Sequence, residues 1–406
     1  MKAIKNIILF YLILTLCFSC KNNLEFQKIE YELPYKFNDE IEAKLASDSL
    51  PWRFQIAASE YALKGNYKDA LRVWDSVFPL KEKQYPSFKI DSINNIYSKK
   101  SAVDYIVKEA QKTRVTIINE AHHNSFHRKF TASLLQKLFN YGYRHIGLEA
   151  LANGEEKDLE LNKRKYPIQT SGYYTRDPQF GNLIREALKI GYHVFAYEQT
   201  FDENGKEREI TQARNIQKIL DEHPNDKVLI HCGFDHALEG KHRSWEKAMA
   251  GRLAEFTGIN PLTINQTTFS ERSNSIYNLP LLKAVQATNS IVLIDKEAKP
   301  YPYTKRESFT DIAVFHPNTT YINNRPNWLF TEETKKVSIK FEELEIEYPV
   351  MILAYEKEEP INKAVPVDIV EVENDEKECF MALPKGSYEV VVVNKKQAYL
   401  FSKKIY

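Results

Sequence analysis

Apolar and polar positions are most clearly patterned between Val115 and Ala150, VTIINEAHHNSFHRKFTASLLQKLFNYGYRHIGLEA. The β-branched run Val115 to Ile118 predicts a strand that stops at the polar residues Asn119, Glu120, His122 and His123. Phe126, Phe130, Leu134 and Leu138 then recur every four residues, which predicts an amphipathic helix capped by Asn124 or Ser125 and closed at Gly142. A second strand, His145 to Leu148, ends on Glu149.

The alternation continues. A helix from Phe180 to Lys189, closed by Gly191, leads to a strand from His193 to Tyr197; a helix from Gln212 to Glu222 leads to a strand from Lys227 to His231. A helix from Trp245 to Phe256, closed by Gly258, precedes a strand from Pro261 to Asn265. Five strands separated by helices predict an α/β fold, a doubly wound and mainly parallel sheet with helices on both faces. Right-handed crossovers bring the C-terminal strand ends to one edge, where such sheets bind ligands. That edge collects Glu120 with His122, Glu149, Glu198, His231 with His236 beyond it, and Gln266.

Around this domain, set at 113–330, the texture differs. Residues 21–50 show no periodicity and read as a tether, and 51–112 are helical. Ala57 to Phe78 resembles one tetratricopeptide-type helix pair around Gly65-Asn66-Tyr67. A single unit cannot bury its own face, so it is expected to act as a helical cap. Asn153 to Gln179 is a polar excursion of the length of a lid or substrate wall, and Ser290 to Asp295 and Ile312 to Phe315 are expected as edge strands. Residues 335–406 hold short strands with turn signals such as Pro384-Lys385-Gly386-Ser387, a small β-sandwich suited to packing or to docking a protein partner.

Composition narrows the classes. With 43% apolar and 27% charged residues the chain is globular; a net charge of +1, without a basic patch interleaved with aromatics, argues against nucleic acid. At the N-terminus, Lys2 and Lys5 precede an apolar run from Ile7 to Phe18, too short for a comfortable membrane span, and then Leu16-Cys17-Phe18-Ser19-Cys20. This resembles a bacterial lipoprotein signal, residues 1–20, with Cys20 lipidated and the mature protein held at the cell envelope, in the outer membrane, by its N-terminal lipid. Cys232 and Cys379 then remain and read as isolated small apolar residues rather than a disulfide scaffold.

Glu120 and His122 are two apart and share a face if the strand continues, so they can meet one ligand. Three histidines, His122, His123 and His127, stand within eight residues of Glu120, in a chain of ten histidines. Glu149 ends an apolar strand, where a charge needs a partner. His231 and His236 bracket the turn Cys232-Gly233-Phe234-Asp235, and Cys232 is a nucleophile only if a base activates it. Arg214 and Asn215 start a helix facing either the site or solvent, Tyr197 and Glu198 end a strand, and Tyr173, Tyr174 and Arg176 are candidate pocket residues.

The succession of strand, Glu-x-His-His at Glu120 to His123, amphipathic helix, Gly-Tyr and strand ending in Glu149 resembles one superfamily. It joins erythromycin esterase-like hydrolases, haem-uptake ChaN-like proteins and Tiki-type peptidases. Ala213-Arg214-Asn215-Ile216 and the stretch Val228 to Gly240 fit in the same order. Two registers follow from the resemblance. The ChaN and Tiki pattern Gly-Glu-x-His lands on Asn119, Glu120 and His122 and implies a metal or haem; Asn119 departs from the glycine. The esterase-like pattern lands on Glu120, His123 and His127, with Glu149 as acidic partner, and implies a metal-independent histidine base. The resemblance implies a hydrolase of ester or peptide bonds, acting on a small-molecule or peptide substrate. In it His123 deprotonates water, Glu149 orients it, and His127, His236 or Arg214 stabilises the oxyanion, while Glu120 ligates a metal or supports the centre. Tyr174, Arg176, Tyr197, Glu198 and His231 would contact substrate. The alternative is a non-catalytic binder of haem or of Zn, Mn or Fe, with His122, Glu120, Glu149 and His236 as ligands.

Overall fold

The run Val115–Ile118 becomes the middle of an eight-stranded sheet because its residues are apolar on both faces and lie buried on both. A computed structural model describes residues 25–200, 204–374, 376 and 378–406. The expected signal segment with Cys20 lies outside the described residues. Among these, no helix is long and apolar enough to cross a membrane.

Across the sheet the strands run Ser98–Ser101, Ile291–Ile294, Ile312–Phe315, Leu262–Phe269, Val115–Glu120, Lys227–Gly233, Tyr143–Leu148 and His193–Ala196. The last six are parallel, and Ile291–Ile294 runs against both of its neighbours. The fold is thus α/β with a mainly parallel sheet. Ile291–Ile294 and Ile312–Phe315 are both internal, not edge strands; the edge on that side is Ser98–Ser101. Its polar Ser-Lys-Lys-Ser carries no apolar alternation to betray it, and exposed lysines suit an edge that must not recruit another chain.

Consecutive strands are not always neighbours. Lys227–Gly233 lies between Val115–Glu120 and Tyr143–Leu148. Their tips are therefore two strand spacings apart, roughly 9–10 Å, with Gly233 between.

Strand residues alternate between two cores. Ile118, Ile146, Leu148, Leu229 and Ile264 pack with helices Ala102–Ala110, Phe126–Asn140 and Pro178–Ile190. Val115, Ile117, Phe195, Ile230 and Cys232 pack with helices Lys206–Glu222 and Met249–Thr257. Two helix starts move relative to expectation. Helix Lys206–Glu222 begins ahead of its expected start because its polar first turns carry no apolar stripe to reveal them, and helix Met249–Thr257 begins later than expected, leaving Trp245 in the preceding loop.

The C-terminal residues form a five-stranded antiparallel sheet, ordered Gln27–Ile29, Ala398–Ile405, Gly386–Val393, Val350–Glu356 and Asp368–Val372, and a separate pair, Thr334–Lys340 with Glu378–Pro384. Gln27–Ile29 comes from the stretch expected as a tether, which also buries Tyr35 and Phe37 and forms the helix Asn38–Ser47. A three-residue edge strand is held by backbone pairing, which leaves no side-chain period to detect. In the helix pair Arg53–Leu63 and Tyr67–Trp74, Gly65 sits at φ +79° with the Ile369 carbonyl where a Cβ would stand, 2.5 Å away, so only glycine fits. Both remaining cysteines are buried and free.

Candidate functional site

Glu120 has the parity of Ile118, so its carboxylate enters the face covered by helix Phe126–Asn140. There Arg128 grips it with two hydrogen bonds, Nε to Oε2 at 2.6 Å and Nη2 to Oε1 at 2.9 Å. Arg128 also pairs with Asp177 at 3.0 Å and lies over the Phe180 ring. His231 Nε2 lies 3.0 Å from Glu120 Oε2, and His122 Nδ1 lies 2.9 Å from Oε1. Burial opposes ionisation of Glu120, but Arg128 and the two imidazoles outweigh it and hold the carboxyl well below its usual range. An ionised carboxylate only accepts hydrogen bonds, so His122 Nδ1 carries a proton and donates to Glu120.

His122 leaves the strand end and leans across Gly233. A Cβ there would come within 2.6 Å of His122 Cε1 and 2.7 Å of Nε2, so the absence of a side chain lets the ring bridge the middle strand. Tyr174 stacks on the ring with centroids 4.0 Å apart. Burial, with Glu120 and Glu149 nearby, pushes the Tyr174 phenol up to about 12, so it stays a donor.

Beyond Gly233 stands a second cluster. Glu149 Oε2 accepts the Gly233 amide at 2.6 Å, and Oε1 accepts Arg208 Nη2 at 2.9 Å with His236 Nε2 at 3.5 Å. His236 Nδ1 lies 2.9 Å from Glu209 Oε2, and the ring stacks on Trp245. Burial disfavours the imidazolium, but Glu149 and Glu209 more than offset it and raise the His236 pKa. Nδ1 hydrogen-bonds Glu209, and Nε2 faces Glu149 at ion-pair distance. For Glu149 burial is outweighed by His236, His122, Arg208 and the Gly233 amide, and its pKa falls. Arg208 further grips Glu198.

His122, Glu149, Tyr174, Arg176, Glu198, Arg208, Gly233 and His236 line one cleft of about 1040 Å³. The Asn153–Gln179 excursion supplies its wall through Glu156, Gln169, Thr170, Tyr173, Tyr174 and Arg176. Glu120 and His231 lie beneath this surface, buried.

Other expected site residues stand elsewhere. His123 is buried flat against Trp74, centroids 3.9 Å apart, is not among the residues lining the cleft, and its pKa is driven well below the usual imidazole value by burial and then by His122. Its ring therefore does not pair with Glu149, and that expected base-and-orienter couple is not formed. His127 is wholly buried, accepting the Ala121 amide at 3.0 Å and meeting Ser270 Oγ at 2.7 Å. Arg214 follows buried Ala213 and so points outward, onto the Phe256 ring and Gln217. Tyr197 is fully buried with its hydroxyl on the His231 carbonyl, and Asn215 holds the Tyr197 carbonyl. Gln266 is buried and binds Asn119 through both its amides. Cys232 is buried with its thiol pushed far up by burial, which rules out a thiolate nucleophile.

Arg128, Arg208 and Glu209 were not expected. A signal existed for two of them. Glu209 shares a helical stripe with Ala213, Ile216 and Leu220, and Arg128 with Thr131 and Leu135. A charge on an apolar stripe demands a buried partner.

A metal does not fit this donor set well. Both oxygens of Glu120 serve Arg128, and both of Glu149 serve an amide or Arg208, so a cation would have to displace one guanidinium and sit close to another.

No family model matches the chain, and no curated protein matches it. Among solved structures, it is similar to the type III effector HopBA1, at 14% identity and a TM-score of 0.32, covering 45% of this chain and 93% of that one. It is also similar to RRSP, a MARTX toxin effector domain from Vibrio vulnificus CMCP6, at 15% identity and a TM-score of 0.28, covering 52% and 44%. A structure of bacterial protein toxins gives 14% identity and a TM-score of 0.29, covering 50% and 43%. Similarity at this level assigns neither a family nor an activity.

Proposed function

We propose that the protein is a lipid-anchored envelope hydrolase that cleaves an ester or peptide bond with a metal-independent centre of two histidines in opposite protonation states. The observation that carries this reading is the pairing across Gly233. His122, fixed through Nδ1 by ionised Glu120, turns Nε2 toward Gly233 and the cleft; His236, between Glu149 and Glu209 on the opposite wall, has its pKa raised by those two carboxylates. An imidazole tied to a carboxylate through one nitrogen and open at the other is placed to act as a base, and one set between two carboxylates is placed to act as an acid.

In the reaction, His122 Nε2 takes a proton from water as the water oxygen bonds to the carbonyl carbon. Arg208 and the His236 imidazolium supply positive charge where the oxyanion grows, and His236 gives its proton to the leaving group. The His122 proton then returns to Glu149–His236, restoring both rings. Glu120, Arg128 and His231 keep His122 in the tautomer the step requires. This follows the Glu-x-His register of the resemblance, with His122 rather than His123 as base.

The finer architecture belongs to the same reading: a doubly wound core, a helical cap and a C-terminal β-sandwich that docks a protein partner. It is supported by the packing of Ile339 and Phe341 against Ile352 and Val390 in one core, and by Gln55 of the helix pair reaching the cleft. The envelope location rests on the lipoprotein-type segment ending at Cys20.

A panel of small esters and peptides, run with and without chelator, tests the proposal. Cleavage that survives chelator and is lost in His122→Ala and Glu149→Gln is expected. Chelator-sensitive cleavage, or haem binding that depends on His122 with no cleavage, would favour the binding alternative.

A further inference from the structure

The opposite edge of the sheet holds a histidine cluster that the cleft does not use. His145 opens toward it from the start of strand Tyr143–Leu148, His193 begins the neighbouring strand, and His223 caps the end of helix Lys206–Glu222. Asp226, one residue before strand Lys227–Gly233, follows in a turn closed by its own amide on the His223 carbonyl at 3.1 Å. One ligand atom each from His145, His223 and Asp226 lie within 4.8 Å of one another; among the described residues no other group of three or more His, Cys, Asp or Glu does so.

The His145 and His223 ring centroids are 4.3 Å apart, and His193 is 5.6 Å from His145. His145 Nε2 sits 3.0 Å from Asp226 Oδ2, while its Nδ1, buried, has no hydrogen-bond partner among the described residues. A buried ring nitrogen left unmatched is uncommon and needs an explanation. Asp226 faces Nε2, so that is the nitrogen a cation shared with the carboxylate would take, displacing its proton and leaving the ring proton on Nδ1.

We propose that His145, His223 and Asp226 form a binding site for a divalent transition-metal cation of the zinc class, with water or His193 in the fourth position. Two imidazoles and one carboxylate suit Zn, Ni, Cu or Co and disfavour Mg or Ca, which prefer all-oxygen shells. The cation ties together a strand start, a helix end and the turn between that helix and the next strand. The same helix carries Arg208 and Glu209 to the cleft some 15 residues upstream of His223, roughly 22 Å along its axis. Binding at this edge therefore clamps the element that positions the other.

Titration of the full mature chain with zinc by calorimetry, and with cobalt by visible absorption, tests the site. One equivalent should bind, raise Tm and give the d–d bands of a four-coordinate cobalt. The surface variants His223→Gln and Asp226→Asn, which avoid the buried ring of His145, should each weaken binding by more than the ten- to hundredfold, approximately, that loss of a supporting partner costs. His122→Ala should bind as the wild type does. Absence of binding at micromolar zinc, undiminished binding in the double variant, or loss of binding in His122→Ala would overturn the assignment.

Discussion

Two of the places where charge is buried, under the cleft and along the contact between the C-terminal strands and the rest of the chain, are built differently. At the contact each carboxylate meets a single cationic side chain: Asp368 with Arg325, Glu371 with Lys64, and Glu359 with Arg185 through two bonds at 2.8 and 2.5 Å. Burial is the larger influence there, and all three carboxyls are raised above their ordinary range. Under the cleft Glu120 has Arg128, His122 and His231, and Glu149 has Gly233, Arg208 and His236; there the partners win and both carboxyls are lowered. One arrangement closes a contact. The other keeps ionised acids at the foot of an opening, each held by a guanidinium together with an imidazole, a setting suited to moving protons.

The comparison breaks if the two sites respond alike to mutation. His122→Ala should lower the rate on the best substrate of the ester and peptide panel by roughly 10²–10⁴-fold, the usual worth of a positioned general base. Stability should move by no more than about 1 kcal/mol, since Glu120 keeps Arg128 and His231. Steady-state kinetics and urea unfolding on the same preparation read both quantities. A comparable loss in each would make His122 a structural residue.

Next in size is the reverse case. Asp368→Ala leaves Arg325 buried without its partner and should cost about 3–5 kcal/mol in urea unfolding, while turnover per folded molecule at low temperature stays as in the wild type. Lost turnover in a folded Asp368→Ala protein would show that the contact is coupled to the cleft.

The contrast between the two regions was partly legible in the sequence. The parallel sheet and the crowding of Glu120, His122, Glu149 and His236 at one edge followed from periodicity and crossover handedness, because each strand advertises itself by its own apolar run. Which strand lies beside which did not follow. Insertion of Lys227–Gly233 between the other two is a tertiary choice, and on it rests the role of Gly233 as the gap that His122 spans. The contact pairs were invisible for another reason: Arg325 and Asp368, or Lys64 and Glu371, stand tens to hundreds of residues apart and belong to elements whose own patterns look unremarkable.

A smaller effect should sharpen the protonation assignment. Because the folded His236 pKa is raised, its interactions with Glu149 and Glu209 stabilise the protein fully below the unfolded value, near 6.5, and that contribution is lost as pH rises through the folded value. The stability difference between wild type and His236→Gln should therefore be largest on the acid side of neutrality and shrink toward pH 9, approximately, well clear of the lowered Glu120 and Glu149, whose contributions are lost only as pH falls below the carboxylate range. A difference that grows with pH would mean that His236 is buried neutral.

The smallest expected effect separates two adjacent residues. His123→Leu removes an imidazole that is already neutral and stacked on Trp74, and leucine keeps an apolar side chain against that ring. No hydrogen bond is lost at Nδ1, which has no partner among the described residues. The rate should change by less than about threefold, within the small effect expected away from the reacting atoms. Under the competing register, in which His123 is the base beside Glu149, the same substitution would match His122→Ala in severity. Equal losses at positions 122 and 123 would require the chain after Glu120 to turn the other way during catalysis, carrying His123 off Trp74 and into the cleft; a large loss at 122 alone leaves the Glu120–His122 couple as the base.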